Sequence, residues 1–305
     1  MSDLRAAIHA LLGTAPDDIK DSGITRFSTS SRLGNRDGWV MPVYHGVFHF
    51  GCWRQGLKGS FSESRARAQT PQPRSLASQL DADLKLRTAK WVASQNLDTW
   101  LSAFPLEPTG VVNKYLNRRG ICLPMLPGEL RQASLSYFED GNVVGVFPAM
   151  LAVVTSPFGE MVALHRTYLA ADGSKAAVAN VKKLTRTSGP LTGASIKFGD
   201  PVSVNGRITL GVAEGIETAL ACQLASGMPT WSCVSATGIE RFIWPVELQS
   251  LIIFADHDES GVGQEAAARL ALRAIDAGLE CRLLIPKLVG SDWLDVYVRK
   301  ARDER

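Results

Sequence analysis

RITLGVAEGIETALACQLAS (207–226), LQSLIIFADHDESGVGQEAAARLALRAIDAG (248–278) and LECRLLIPKLVGSDWLDVYVRKARD (279–303) decide the fold class of this chain. Each joins a short apolar run to an amphipathic or apolar stretch of helical length. RITLGVAE (207–214) reads as a strand and GIETALACQLAS (215–226) as a helix. TWSCVSAT (230–237) and LQSLIIFAD (248–256) read as the second and third strands. GVGQEAAARLALRAIDAG (261–278) is a helix closed by Gly278, LECRLLIP (279–286) a fourth strand, and SDWLDVYVRKARD (291–303) a last helix. Strands alternating with helices imply a parallel sheet covered by helices on both faces.

Open parallel sheets bind ligands beyond the C-terminal ends of their strands. Acids stand at three such ends: Glu214 after the first strand, Asp256 and Asp258 after the third, Asp292 and Asp295 after the fourth. In an extended DxD both side chains leave one face, so Asp256 and Asp258 converge, and His257 between them points the other way. Carboxylates brought together repel unless a proton or cation intervenes, and an oxygen-only set suits Mg²⁺ or Mn²⁺. The bland alternatives are solvated loop acids and helix caps, with Asp258 or Ser260 capping the helix that follows. Glu217 serves the dipole of its helix as readily as it serves a function.

Upstream, residues 3–12 suit a short helix. WVMPVYHGVFHFGCW (39–53) reads as strands broken at Gly46 and Gly51, with Arg54 and Lys58 on the turns that follow. SESRARAQTPQPRSLASQ (62–79) has no apolar periodicity and reads as a flexible linker. An amphipathic helix runs from Leu80 to about Trp100 and stops before Pro105 and Pro108. VNKYLNRRGI (112–121) is helical and ends at Gly120. Residues 143–170 form hairpins, with one apolar segment interrupted at Pro148. The resulting division is a β-rich N-terminal subdomain (1–61), a linker (62–79), a mixed α+β region (80–205) and an α/β domain (206–305).

Charge follows this division. Residues 1–206 hold 23 Lys and Arg against 16 Asp and Glu, net +7, while 207–305 hold 10 against 14, net −4. The near-neutral total therefore hides a basic part suited to a polyanion and an acidic part suited to a cation. The five cysteines are scattered with no CxxC pair, which argues against a disulfide framework or zinc ribbon. His45, His49 and Cys52 lie close but lack a fourth ligand, so zinc is not expected. With no leader pattern and no apolar run of membrane-spanning length, a cytoplasmic protein without membrane contact is expected.

VAEGIETALA (212–221), FADHDESGVGQEAAARLA (254–271) and GSDWLDV (290–296) resemble the Toprim domain, in the version found in plasmid and phage primases or primase–helicases. NKYLNRRGI (113–121), GEMVALHRTYLAADGSKA (159–176) and, more weakly, WVMPVYHGVFHFGCWRQG (39–56) resemble what precedes Toprim in these primases. The resemblance implies an α/β Toprim domain with a central parallel sheet flanked by helices, behind a mixed α+β N-terminal region. It implies a DNA primase that makes short primers on single-stranded DNA from nucleoside triphosphates. Asp256 and Asp258 would coordinate the ions, Glu214 would ligate a metal or act as general acid/base, and Asp292 and Asp295 would complete or orient the shell. Arg118, Arg119, Arg166, Lys182, Lys183 and Arg186 are candidates for holding template phosphates or the triphosphate tail. Trp39 and Trp53 are candidates for stacking on bases. No P-loop GxxxxGK[ST] occurs, so a helicase would be a separate partner. The competing readings are a Toprim nuclease and a nonenzymatic replication accessory that binds DNA or a helicase.

Overall fold

Leu4, Ile8 and Leu12 recur at helical spacing on α1 (Ser2–Leu12), and this stripe packs on the first of three sheets. That sheet is antiparallel, ordered β1 (Thr25–Phe27), β2 (Gly38–Tyr44), β3 (Val47–Cys52) and β4 (Leu57–Ser62). Phe27, Val40, Phe48, Phe50 and Cys52 form its buried side. The computed structural model describes residues 2–20, 24–29, 36–44, 47–62 and 76–303. His45, Gly46 and most of the expected linker, 63–75, lie outside the described residues. Gly51 does not break its strand but pairs with Trp39, whose indole covers it. Lys58 belongs to β4, not to a turn. His49 and Cys52 face opposite sides of β3, as the period-2 alternation requires.

The second sheet, also antiparallel, is ordered β5 (Phe104–Pro105), β6 (Leu130–Glu139), β7 (Asn142–Thr155), β8 (Met161–Tyr168) and β9 (Lys182–Leu184). Pro148 lies within β7 opposite Ser134 without interrupting it, and its carbonyl accepts from the Leu169 amide. A proline lacks only the donor, so a position whose partner needs an acceptor tolerates it. The sequence reading has no counterpart for β6. Its pattern, LRQASLSYFE, mixes polar and apolar residues because the strand is mostly half-buried. Helix α2 (Leu76–Ser102) starts four residues earlier than expected, inside the expected linker, and lies against β8. Helix α3 (Val111–Arg118) ends where Gly120, at φ +80°, turns the chain back.

The third sheet is ordered β10 (Val202–Val204), β11 (Arg207–Ala213), β13 (Ser250–Phe254) and β14 (Glu280–Leu284), with β12 (Thr230–Ser232) paired to the C-terminal half of β11. The β11–β12, β11–β13 and β13–β14 pairs are parallel, and β10 is antiparallel to β11. Helices α4 (Ile216–Ser226) and α7 (Trp293–Asp303) lie together, while α5 (Ala236–Glu240) and α6 (Val262–Asp276) form a second contacting pair. TWSCVSAT is a strand only to Ser232; Ser235 then caps α5 through the Gly238 amide.

Helix α4 is buried from Ile216 to Cys222. A helix apolar on all sides has no solvent face, and this one is packed between the second and third sheets. Its Ile216, Ala219 and Leu220 share a core with Val112, Leu116, Met150 and Val162. Isolated bridges Thr155↔Ser195 and Ile196↔Ser232 also tie the two sheets together.

Candidate functional site

The acids at the three strand ends meet. The charges of Asp292, Glu214, Asp258 and Asp295 all bear on Asp256. Burial first, and then those four neighbours in that order, push the Asp256 carboxyl up to about 7. Its Oδ1 is buried without a hydrogen-bond partner. Glu214 is also raised, by burial and by Asp258, against the lowering effect of the Ala236 amide and Lys182. Asp258 is lowered instead: Ser260 Oγ at 2.8 Å and the Gly261 amide at 2.7 Å both donate to its Oδ1. Its other oxygen faces Gly263. A Cβ there would sit 3.2 Å from Asp258 Oδ2 and 3.9 Å from Glu214 Oε2, so the glycine keeps the space between these carboxylates clear.

The loop after β14 reaches the DxD through a backbone bridge between His257 and Ser291. The His257 ring does turn away, its Nδ1 lying 2.8 Å from the Pro286 carbonyl. Asp292 and Asp295 cap α7 reciprocally: the Asp295 amide donates to Asp292 Oδ1 at 2.8 Å and the Asp292 amide to Asp295 Oδ2 at 3.2 Å. One oxygen of each is thereby committed to the helix.

A hard divalent cation fits this donor set. All its ligands are oxygens, the charge is negative and mutually repelling, and Asp256 carries a buried oxygen with no partner. Among the described residues no three His, Cys, Asp or Glu side chains form a direct cage. The arrangement therefore suits an ion held by one or two carboxylates and water, as Mg²⁺ commonly is.

Of the six basic candidates, Lys182 stands beside the acids. Register explains the selection. Lys182 pairs with Thr167 and Lys183 with Arg166, so consecutive lysines leave opposite faces of β9. Lys182 turns toward α4 and reaches Glu217 Oε2 at 2.7 Å. Lys183 turns to the other face, onto the Phe138 carbonyl at 2.7 Å and over the Tyr137 ring. Arg166 is on that face too, bonded to the Leu184 carbonyl, with its Nε buried and unpartnered. Arg186 lies near the Trp91 ring. Arg118 pairs with Asp172 at 3.0 Å, and Arg119 bears on the Tyr115 hydroxyl.

Glu217 is the residue whose role the sequence left open. It is 3% exposed and accepts from Tyr115 Oη at 2.5 Å as well as from Lys182. Burial works to raise its carboxyl, yet Lys182 and Tyr115 prevail and hold it at about 2. The same burial and carboxylate raise the Tyr115 hydroxyl above its ordinary range. His165, paired with Ala152 on the same face, is buried beside Lys182 and held neutral, down at about 4. The signal was present: a helix reading IETALACQLA has no polar face, so an acid within it must be buried and paired.

Residues 92–198 match a sequence family described as a domain of unknown function (DUF7146), and residues 209–303 match the Toprim domain family. No curated protein matches the chain. Among solved structures, the chain is similar to a DNA primase domain from Pseudomonas aeruginosa, at 14% identity over 55% of this chain and 52% of that one, TM-score 0.36. The match thus spans about half the length of that structure. It is also similar to the primase fragment of the bacteriophage T7 primase-helicase protein, at 14% identity over 85% and 91% of the two chains, TM-score 0.37. A third similarity is to the Aquifex aeolicus primase, comprising zinc-binding and RNA polymerase domains, at 11% identity over 90% and 79%, TM-score 0.41.

Proposed function

With residues 209–303 a Toprim domain, we propose that this chain is a primase. In this reading it joins nucleoside triphosphates into short primers on single-stranded DNA. The 3′-hydroxyl oxygen bonds to the α-phosphorus of the incoming nucleotide, the bond to the β-phosphate breaks, and pyrophosphate leaves. The observation that carries this reading is the placing of Glu214, Asp256, Asp258, Asp292 and Asp295 at adjacent strand ends, where the charges of the other four bear on Asp256 and Lys182 bears on Glu214.

Asp256 and Asp258 are the residues assigned to hold Mg²⁺ or Mn²⁺. The ion, when bound, offsets phosphate charge and makes the attacking hydroxyl more acidic. Glu214 takes the hydroxyl proton in this account, since burial and Asp258 raise its affinity for one. Asp292 and Asp295, tied to each other's amides by their mutual cap, complete the negative field. Lys182 holds the triphosphate, its ammonium anchored at the Glu217 carboxylate and its side chain 40% exposed. The Arg118, Arg119, Arg166, Lys183 and Arg186 cations act in this reading on nucleic acid farther from the acids.

Among the described residues no helix is long and apolar enough to cross a membrane. A separate replicative helicase belongs to this reading as the partner that opens the duplex. The test is to incubate the protein with single-stranded DNA, labelled nucleoside triphosphates and Mg²⁺ or Mn²⁺. Short labelled oligonucleotides made by the wild type and lost in Asp256→Ala support the reading. Shortened DNA with no new strand overturns it in favour of a Toprim nuclease, and binding with neither product overturns it in favour of an accessory protein.

A further inference from the structure

Two cavities share a wall on the side of the third sheet where α5 and α6 meet the N-terminal subdomain. The inner one, about 490 Å³, is bordered by Leu184, Thr192, Val234, Ser235 and Arg241. Chain neighbours of its lining touch Glu214: the Ser232 hydroxyl, one residue before Cys233, donates to the Glu214 backbone carbonyl at 2.8 Å, and the Ala236 amide, between Ser235 and Thr237, bears on the Glu214 carboxylate. The outer one, about 500 Å³, shares Thr192 and Arg241 with it and opens between Trp39, Trp53 and Lys58 on one side and Arg269 and Arg273 on the other.

The composition of the outer cavity is unusual for a packing defect. Four cations face one carboxylate, Glu240, which is itself paired with Arg269. Among the described residues neither Lys58 nor Arg241 has an ion-pair partner. Arg273 is fixed by the Glu240 and Phe242 carbonyls and keeps a buried Nε without a partner. Trp39 and Trp53 lie 5.6 Å apart at a 32° tilt, with the Arg26 guanidinium over one face of Trp53. Val234, on the wall of the inner cavity, is held at φ +70°, a costly conformation for a β-branched residue. Such strain concentrates where a backbone is shaped for a ligand.

We propose that these adjacent cavities, divided by Thr192 and Arg241, lie along the path of the single-stranded template, an inference that rests on the primase reading. Bases stack against the Trp39–Trp53 pair, and Lys58 and Arg241 meet the phosphates between that pair and the acids, with Arg269, held by Glu240 and Glu265, on the wall. A cationic groove with aromatic platforms is the chemistry of single-strand binding. The reach is suitable. Arg269 lies seven residues along α6 from Val262, about 10 Å from the helix end next to Asp258 at 1.5 Å per residue. The basic residues that hold the strand thus include Toprim-side arginines in the half of the chain that is acidic overall.

The experiment measures binding of a fluorescein-labelled oligothymidylate of about 16 nucleotides by anisotropy over a salt series, alongside primer synthesis. Lys58→Glu/Arg241→Glu is compared with Arg87→Glu/Arg302→Glu, which makes the same charge change on α2 and α7. The groove variant should bind at least about tenfold more weakly, with its salt slope reduced by about 1.4, while the control binds as the wild type. Trp39→Ala should weaken binding about fivefold or more, as loss of one stacked base does. Normal binding by the groove variant overturns the path, and so does an equal loss in the control. If the wild type makes primers while the groove variant binds normally, the path fails and the primase reading survives. If the wild type makes none while the groove variant loses binding, the primase reading fails and the groove stands. A wild type that binds no oligothymidylate overturns both.

Discussion

Glu217→Gln isolates the buried contact that joins the N-terminal region to the α/β domain. The carboxylate accepts from Tyr115 on α3 and Lys182 on β9, and these hold it at about 2 instead of 4.5 despite burial. Each pKa unit corresponds to about 1.4 kcal/mol, which sets the interaction near 3 kcal/mol at neutral pH. Lys182 is 40% exposed, and solvent screening of that partner lowers the figure to about 2 kcal/mol. A carboxyl depressed in the folded state gives stability that is present above its unfolded pKa and lost as pH falls through its folded one. The contribution is therefore whole above 4.5 and disappears toward 2. Urea unfolding followed by tryptophan fluorescence, at neutral pH and at about pH 3, measures both ends. The variant should be about 2 kcal/mol less stable at neutral pH with an unchanged m-value, and should lose less on acidification than the wild type. Lys182→Met removes the other partner, and a double-mutant cycle should give a coupling of about 1–2 kcal/mol. Equal neutral-pH stability together with an unchanged acid limb would refute the reasoning.

The remaining predictions concern the acids and their scaffold. Asp256 has a raised folded pKa, so the ion-free protein should lose stability as pH rises from 3.8 through about 7. Thermal melts should show that fall, its absence in Asp256→Asn, and its reversal by Mg²⁺ above pH 7. Gly263→Ala places a methyl 3.2 Å from Asp258 Oδ2 within α6. Titration calorimetry should show weaker Mn²⁺ binding, while melts show stability unchanged or higher, because alanine favours a helix by up to about 1 kcal/mol. Gly238→Ala would drive its Cβ into the Cys233 carbonyl oxygen. Backbone must move to accept it, and urea unfolding should register a loss above about 2 kcal/mol.

The α/β half was readable because β11 and β13 are short apolar runs and helices α4 and α6 are closed by Gly227 and Gly278, both at positive φ, whereas β10 is exposed and its stretch reads as a polar turn. Asp256, Asp258, Asp292 and Asp295 were legible for the same reason, since a strand's end fixes where its acids stand. The antiparallel half was harder. Strand β6 is half-buried on both faces, so LRQASLSYFE has no clear alternation, and β7 tolerates Pro148 through a pairing that no local pattern reveals. For the basic residues the sequence left the geometry open, because charge alone carries no direction. Lys182 and Lys183 are adjacent in sequence and leave opposite faces of one strand, a fact that depends on the β8–β9 register. Arg241, Arg269 and Arg273, which line the proposed path, belong to the half whose net charge is negative.

Pyrophosphate release counted against nucleotide incorporation tests the central claim most directly. With triphosphates labelled at the α- or γ-phosphate on a single-stranded template, nucleotidyl transfer by these acids predicts one pyrophosphate for each residue added to a new strand, and neither product from Asp256→Asn. Phosphate release without incorporation, or incorporation that persists in Asp256→Asn, would contradict it.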